Sequence, residues 1–252
     1  MSIAACAALV ARGDPDRYLA VMAAPVAVRA RLFVLYAFNL EVARAPWVTA
    51  EPLIAEMRLQ WWRDVVAGQQ ARAHEVAGPL HGVIHAAGLP VGVMDRLIAA
   101  RRWDVGREAF AGDGAFREYL EDTAGGLMWL ACRAAGSVGG EAAARNIGWA
   151  AGLAAFLRAA PDLAARGRVP LVDEEPGAIR GLAGEGLARL ARGRAGIAAL
   201  GAGRVATLAA WQAEAILRQV VADPGRVAGG RLGRSEFARR GGLLWATLRG
   251  RP

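Results

Sequence analysis

The stretch Val26–Ala43, VAVRARLFVLYAFNLEVA, followed by Arg44-Ala45-Pro46, reads as one long helix closed by a proline. Leu32, Leu35, Tyr36 and Asn39 recur at helical spacing, so a tyrosine and an asparagine share one face with two leucines. Proline disfavours helical geometry in the residue before it, and Pro46 marks the end. Upstream, Asp14-Pro15-Asp16 supplies capping and a proline start for a helix carrying Tyr18, Leu19 and Met22, and Pro25 separates the two. Downstream, Thr49-Ala50-Glu51-Pro52 opens another helix through Met57, Trp61 and Val65.

Working outward, the same periodicity predicts helices at about 79–87, 90–109, 115–135, 141–159, 183–200, 203–222 and 235–248. Glycines and prolines separate them, and strand signals are nearly absent. Arg166–Glu175 and Gly225–Gly233 read as loops. No period of 20–50 residues recurs, which excludes a helical solenoid. The expectation is an all-α, single-domain helical bundle over residues 1–252, with a looser C-terminal third.

Composition agrees. Apolar residues make up 55% of the 252, dominated by alanine and glycine, which favours closely packed helices over sheets. Charges or helix breakers interrupt each apolar run before it reaches the roughly 18 residues a membrane crossing needs. The N-terminal segment lacks a basic start and runs directly into charged residues, which argues against a secretory signal. Cys6 and Cys132 lie in apolar segments and read as buried thiols of a reducing cytoplasm. All 31 basic residues are arginine, and the formal charge is +8. Such a surface attracts phosphates, anionic lipid or an acidic partner. Nucleic acid is excluded as a partner, because no zinc-finger spacing, RNA-binding signature or recognition helix is present.

Three ordered stretches resemble the squalene/phytoene synthase family over residues 15–175. They are Ala30–Asn39 (ARLFVLYAFN) leading into Glu51–Asp64 (EPLIAEMRLQWWRD); Ala100–Val105 (ARRWDV) with Tyr119-Leu120 and Thr123–Met128 (TAGGLM); and Ile147–Val172, where Arg158 precedes Arg166-Gly167-Arg168-Val169. The resemblance implies an isoprenoid-synthase-type bundle with a central cavity. In that family two facing helices carry aspartate-rich motifs whose carboxylates hold magnesium for prenyl diphosphates. Carboxylates three or four residues apart share one helix face and can aim at one ion. Here Ala43 and Arg44, then Trp47, follow the first motif's position. Ala159 and Leu163 replace aspartates of the second, and Ala155 replaces its asparagine.

The resemblance therefore implies cavity-lining candidates at Tyr36, Asn39, Glu41, Asp104, Arg158 and Asp162, with no catalytic and no metal-binding residue. A degenerate branch of the family, which includes a mitochondrial assembly factor for respiratory complex I, shares these features. That implies a non-catalytic binding or assembly protein with a protein partner, a prenyl or lipid ligand, and a peripheral position at the inner face of a membrane. The alternative is a prenyltransferase of isoprenoid biosynthesis, and only that alternative calls for Mg2+.

Other residues carry less. His81 and His85 have a chelating i, i+4 spacing but no third ligand, and read as an exposed pair. Trp61 and Trp62 cannot face one core; one packs inside and the other covers a groove. Asp104 reads alternatively as half of a buried pair with an arginine. No serine has a recognisable histidine partner.

Overall fold

Prolines and one capping aspartate set several helix starts in the computed structural model, which describes residues 3–68, 74–250 and 252. The elements are α1 Ile3–Gly13, α2 Pro15–Ala23, α3 Val26–Arg44, α4 Pro52–Val66, α5 Ala77–Ala87, α6 Val91–Ala100 and α7 Asp113–Leu120. They continue as α8 Gly126–Ala134, α9 Glu141–Ala165, α10 Pro176–Ala195, α11 Ala213–Ala222, α12 Gly225–Ala228 and α13 Glu236–Arg249. No strand occurs among the described residues. Asp14 caps α2 by accepting from the Arg17 amide at 2.9 Å, and Pro15, Pro52 and Pro176 open their helices. Proline costs nothing there, since that amide has no intrahelical partner.

The bundle is built around α9. Ile147, Trp149, Ala150, Leu153 and Leu157 are fully buried in a core that extends from Cys6 to Val227. A second, small cluster of Ala20, Leu208, Trp211 and Ala246 seats α13. Between α7 and α8 the chain makes one wider turn, Glu121–Gly125, with π-helical bonding.

Several boundaries differ from the sequence expectation. The helix expected to end at 159 runs on through Pro161 to Ala165, carried by its packing along α10. Residues expected to continue helically from 203 form part of a tight 3-10 segment, Ile197–Ala210, bent at Gly201 with φ +53°. There Gly203 lies directly against the Cys132 carbonyl and Ser137, an approach only glycine permits. Helix α1 was not expected at all. Its alanines carry little periodicity, and burial of Cys6 and Val10 against α3 holds it.

Alanine and glycine let α9 approach its neighbours closely. A Cβ at Gly148 would fall 2.5 Å from both the Ala124 carbonyl oxygen and the Met128 Cβ. Gly148→Ala is therefore expected to destabilise the fold by about 3 kcal/mol, read as a lower urea midpoint at unchanged slope. An unchanged midpoint would show that the helices separate freely.

Candidate functional site

A cavity of about 270 Å³ lies between α3 and α9. From α3 it receives Asn39 and Ala43, with Trp47 just beyond. From α9 it receives Gly152, Ala155, Phe156, Ala159 and Leu163. The π-helical turn brings Thr123 and Ala124 to the wall, and the Thr123 hydroxyl donates to the Tyr119 carbonyl at 2.5 Å. Arg17, Arg101, Asp104 and Tyr119 supply the polar lining. The positions at which the resemblance expects metal-binding aspartates thus face one another across this space as Ala43, Ala159 and Leu163.

The polar wall is a closed network. Arg101 Nη1 donates to the Tyr119 hydroxyl at 2.8 Å and to Asp104 Oδ2 at 3.1 Å. The Tyr119 hydroxyl donates to Asp104, also at 3.1 Å. Burial raises the Tyr119 phenol above its ordinary pKa, so it stays a neutral donor. At the rim, Arg168 donates to the carbonyls of Trp103, Asp104 and Gly106, and its guanidinium lies 4.5 Å from the Trp47 ring centroid. Sequence reading found the Asp104–arginine pair but not Arg17, Arg168 or the Tyr119 hydroxyl. The i, i+3 spacing of Arg101 and Asp104 was the available signal; the other partners come from distant elements.

Of the six candidate residues, the structure brings Asn39 and Asp104 into the cavity. Tyr36 is buried beside it, against a small void that also touches Arg17. Among the described residues, neither the Tyr36 hydroxyl nor Asn39 Oδ1 has a hydrogen-bond partner. The other three lie elsewhere, which corrects the expectation for them. Arg158 pairs with Asp16 on the outside at 3.6 Å, and Asp162 is exposed. The reason is helical geometry: one residue turns the side chain by about 100°, so Arg158 and Asp162 point away from the face of Ala159 and Leu163. Glu41 is likewise offset from Asn39 and Ala43. It pairs with Arg44 at 3.8 Å and lines a separate groove of about 300 Å³ with Arg58, Trp61 and His74. Trp62 is buried while Trp61 covers that groove, as the divided reading of the pair expected.

Asp16 does more than hold Arg158. It also accepts from Gln212 at 2.6 Å and pairs with Arg239 of α13 at 3.4 Å, so one carboxylate joins α2, α9, the Gln212 segment and α13.

The donor set does not fit magnesium and a diphosphate. Among the described residues, Asp104 is the sole carboxylate lining the cavity, and both its oxygens are engaged by Tyr119 and Arg101. Magnesium at such a site needs carboxylate oxygens with free lone pairs. No group of three or more His, Cys, Asp or Glu able to hold a metal occurs among the described residues. His81 Nε2 is engaged with the Val65 carbonyl oxygen at 2.7 Å, and His85 is exposed.

Both thiols are buried. Burial pushes Cys132 up to about 12, and burial together with Glu75 raises Cys6. Neither is an activated nucleophile. Both cysteines are expected to resist Ellman's reagent in the folded protein at neutral pH and to react fully in denaturant. Rapid reaction of Cys132 under native conditions would contradict its burial.

Fold and cavity together define the class: an all-α protein of the isoprenoid synthase fold. The structure superimposes on a dehydrosqualene synthase solved with a ligand at a TM-score of 0.72 and 14% identity, covering 98% of this chain and 95% of that one. Squalene synthase HpnC from Alicyclobacillus acidocaldarius aligns at 0.60 and 21% identity, covering 99% and 95%. The squalene/phytoene synthase family model matches residues 10–175, and the chain belongs to that family. Among curated proteins it is similar to the Drosophila melanogaster homolog of NADH dehydrogenase (ubiquinone) complex I, assembly factor 6, at 31% identity over 73% of this chain and 58% of that protein. The Bos taurus assembly factor 6 is 28% identical over 65% of this chain and 51% of its own length. The chain thus spans between half and three fifths of these relatives.

Proposed function

We propose that this chain is a non-catalytic member of its family, acting as a binding or assembly protein for respiratory complex I. One observation carries the reading: Ala43, Ala155, Ala159 and Leu163 face the cavity where synthase chemistry needs carboxylates and an amide. An allylic diphosphate ionises only if charge on its leaving group is neutralised. The single carboxylate here is committed to Arg101 and Tyr119. The names of the similar curated proteins support the assembly role.

Two measurements test it. Deleting the gene in its host is expected to lower assembled complex I on native gels while leaving isoprenoid products unchanged. Purified protein given farnesyl or geranylgeranyl diphosphate with magnesium is expected to release no diphosphate. Release of diphosphate, or normal complex I in the deletion strain, sinks the proposal.

A second reading has its own observation. The unpartnered Tyr36 hydroxyl and Asn39 Oδ1 beside an apolar wall suit a prenyl or lipid chain with a polar end. Leaving such buried atoms unsatisfied costs about 1–3 kcal/mol each. Saturable binding of a fluorescent prenyl analogue, weakened by Asn39→Leu, is its expected result.

A further inference from the structure

The last helix presents an apolar stripe to solvent. In α13, Phe237, Leu244, Trp245 and Leu248 are 88%, 63%, 56% and 73% exposed. They stand at i, i+7, i+8 and i+11, which places them along one face. The opposite face is used: Ala246 is buried and Leu243 packs against the cluster that includes Ala20, Leu208 and Trp211. Arg239 on that side is tied to Asp16. The exposed stripe is therefore a second face, left over after α13 has docked on the bundle.

Its flanks are basic. Helical geometry puts Arg240 on one side of the stripe and Arg249 on the other. Residues 231–249 contain five arginines, at 231, 234, 239, 240 and 249, against one acid, Glu236. Arg231, Arg234 and Arg249 have no carboxylate partner among the described residues. Arg249 lies instead 4.2 Å from the Trp245 ring centroid. Beside the stripe opens a hollow of about 440 Å³ that Arg218, Arg234, Arg249 and Trp245 help to line.

We propose that α13 lies in the interface of a bilayer carrying anionic lipid, with Phe237, Leu244, Trp245 and Leu248 among the acyl chains and the arginines on phosphate headgroups. Charge complementarity selects this occupant. Apolar residues flanked on both edges by arginines suit a surface that is apolar below and anionic above. Each arginine near such a surface strengthens binding roughly fivefold. No described helix is long and apolar enough to cross a membrane, so the contact is with one leaflet. The inference is independent of the assembly role, because it concerns the isolated chain and a lipid surface.

The experiment is flotation of the purified 252-residue chain with vesicles of phosphatidylcholine alone or mixed with phosphatidylglycerol. Floating with the mixed vesicles, weakened by high salt, is expected; the neutral vesicles retain about tenfold less. The double substitution Leu244→Gln and Leu248→Gln is expected to weaken binding at least tenfold, since each removes an apolar side chain from the acyl region. Arg240→Gln with Arg249→Gln is expected to reduce the salt dependence, with Arg231 and Arg234 supplying what remains. Because all four side chains are exposed, thermal melting of each variant should match the parent. Equal flotation of parent and Leu244/Leu248 variant, or of neutral and anionic vesicles, overturns the proposal. So does failure to bind either vesicle, an outcome that would assign the stripe to a protein surface.

Discussion

Replacing Trp149 by alanine is expected to remove about 4 kcal/mol of stability and to lower the melting temperature by roughly 10 °C. Trp149 is fully buried at the middle of α9. Its indole N–H donates to the Arg117 carbonyl of α7 at 3.1 Å, and the Arg189 guanidinium of α10 lies 4.2 Å from its ring centroid. Truncation opens a cavity among three helices, removes the indole donor from a carbonyl that keeps only the Glu121 amide, and frees a cation from its aromatic face. Domains of this size hold only about 5–15 kcal/mol in total, so much of the reserve is lost. Trp149→Phe keeps most of the apolar volume and should lose about half as much. Urea unfolding followed by circular dichroism reads both. A loss below about 1 kcal/mol for the alanine variant would mean that α9 repacks and is not the axis of the bundle.

Asp104→Ala is expected to cost about 3 kcal/mol, because it strands the Arg101 guanidinium next to a buried phenol. Asp104 is 4% exposed and makes bonds to two groups, Arg101 and Tyr119. Asp104→Asn keeps an acceptor in the same place and should cost about 1 kcal/mol. The comparison separates charge from shape. If the two variants lose stability equally, the retained amide oxygen contributes nothing and the negative charge alone holds Arg101. If Asp104→Ala is no less stable than the parent, the network is ornamental and the cavity wall rests on its aromatic residues alone.

Much of the fold was written in local signals. Pro15, Pro25, Pro46 and Pro52 mark breaks and starts that the chain obeys, and the Leu32–Leu35–Tyr36–Asn39 stripe is buried as its spacing demands. The cavity was legible in part. Ala43, Ala159 and Leu163 were singled out from the family pattern, and all three line it. Arg158 and Asp162 were not placed correctly, because a motif gives order along the chain while a wall is chosen by helical phase. What sequence could not supply was contact between distant elements. Arg17 reaches the cavity from α2, and Arg168 reaches three carbonyls on residues 103–106 from a loop more than sixty positions later. Likewise, no periodicity predicts the tight Ile197–Ala210 turns, whose shape depends on Gly203 meeting Ser137.

The Asp16 junction bears on how this chain comes together during synthesis. Its partners lie at Arg158, Gln212 and Arg239, and the Gln212 bond alone spans 196 positions. A nascent chain can bury much of α3 and its early neighbours while later residues are still unmade. It cannot close this clasp until α13 has left the ribosome. Until then Asp16 lacks its Arg239 partner and the second helix has one flank open. Closure of such a long loop is slow on entropic grounds, and it comes after the local helices have formed. Fluorescence that reports on Trp211, next to the clasp, should accordingly mature in the last phase of refolding, after the helical signal is complete.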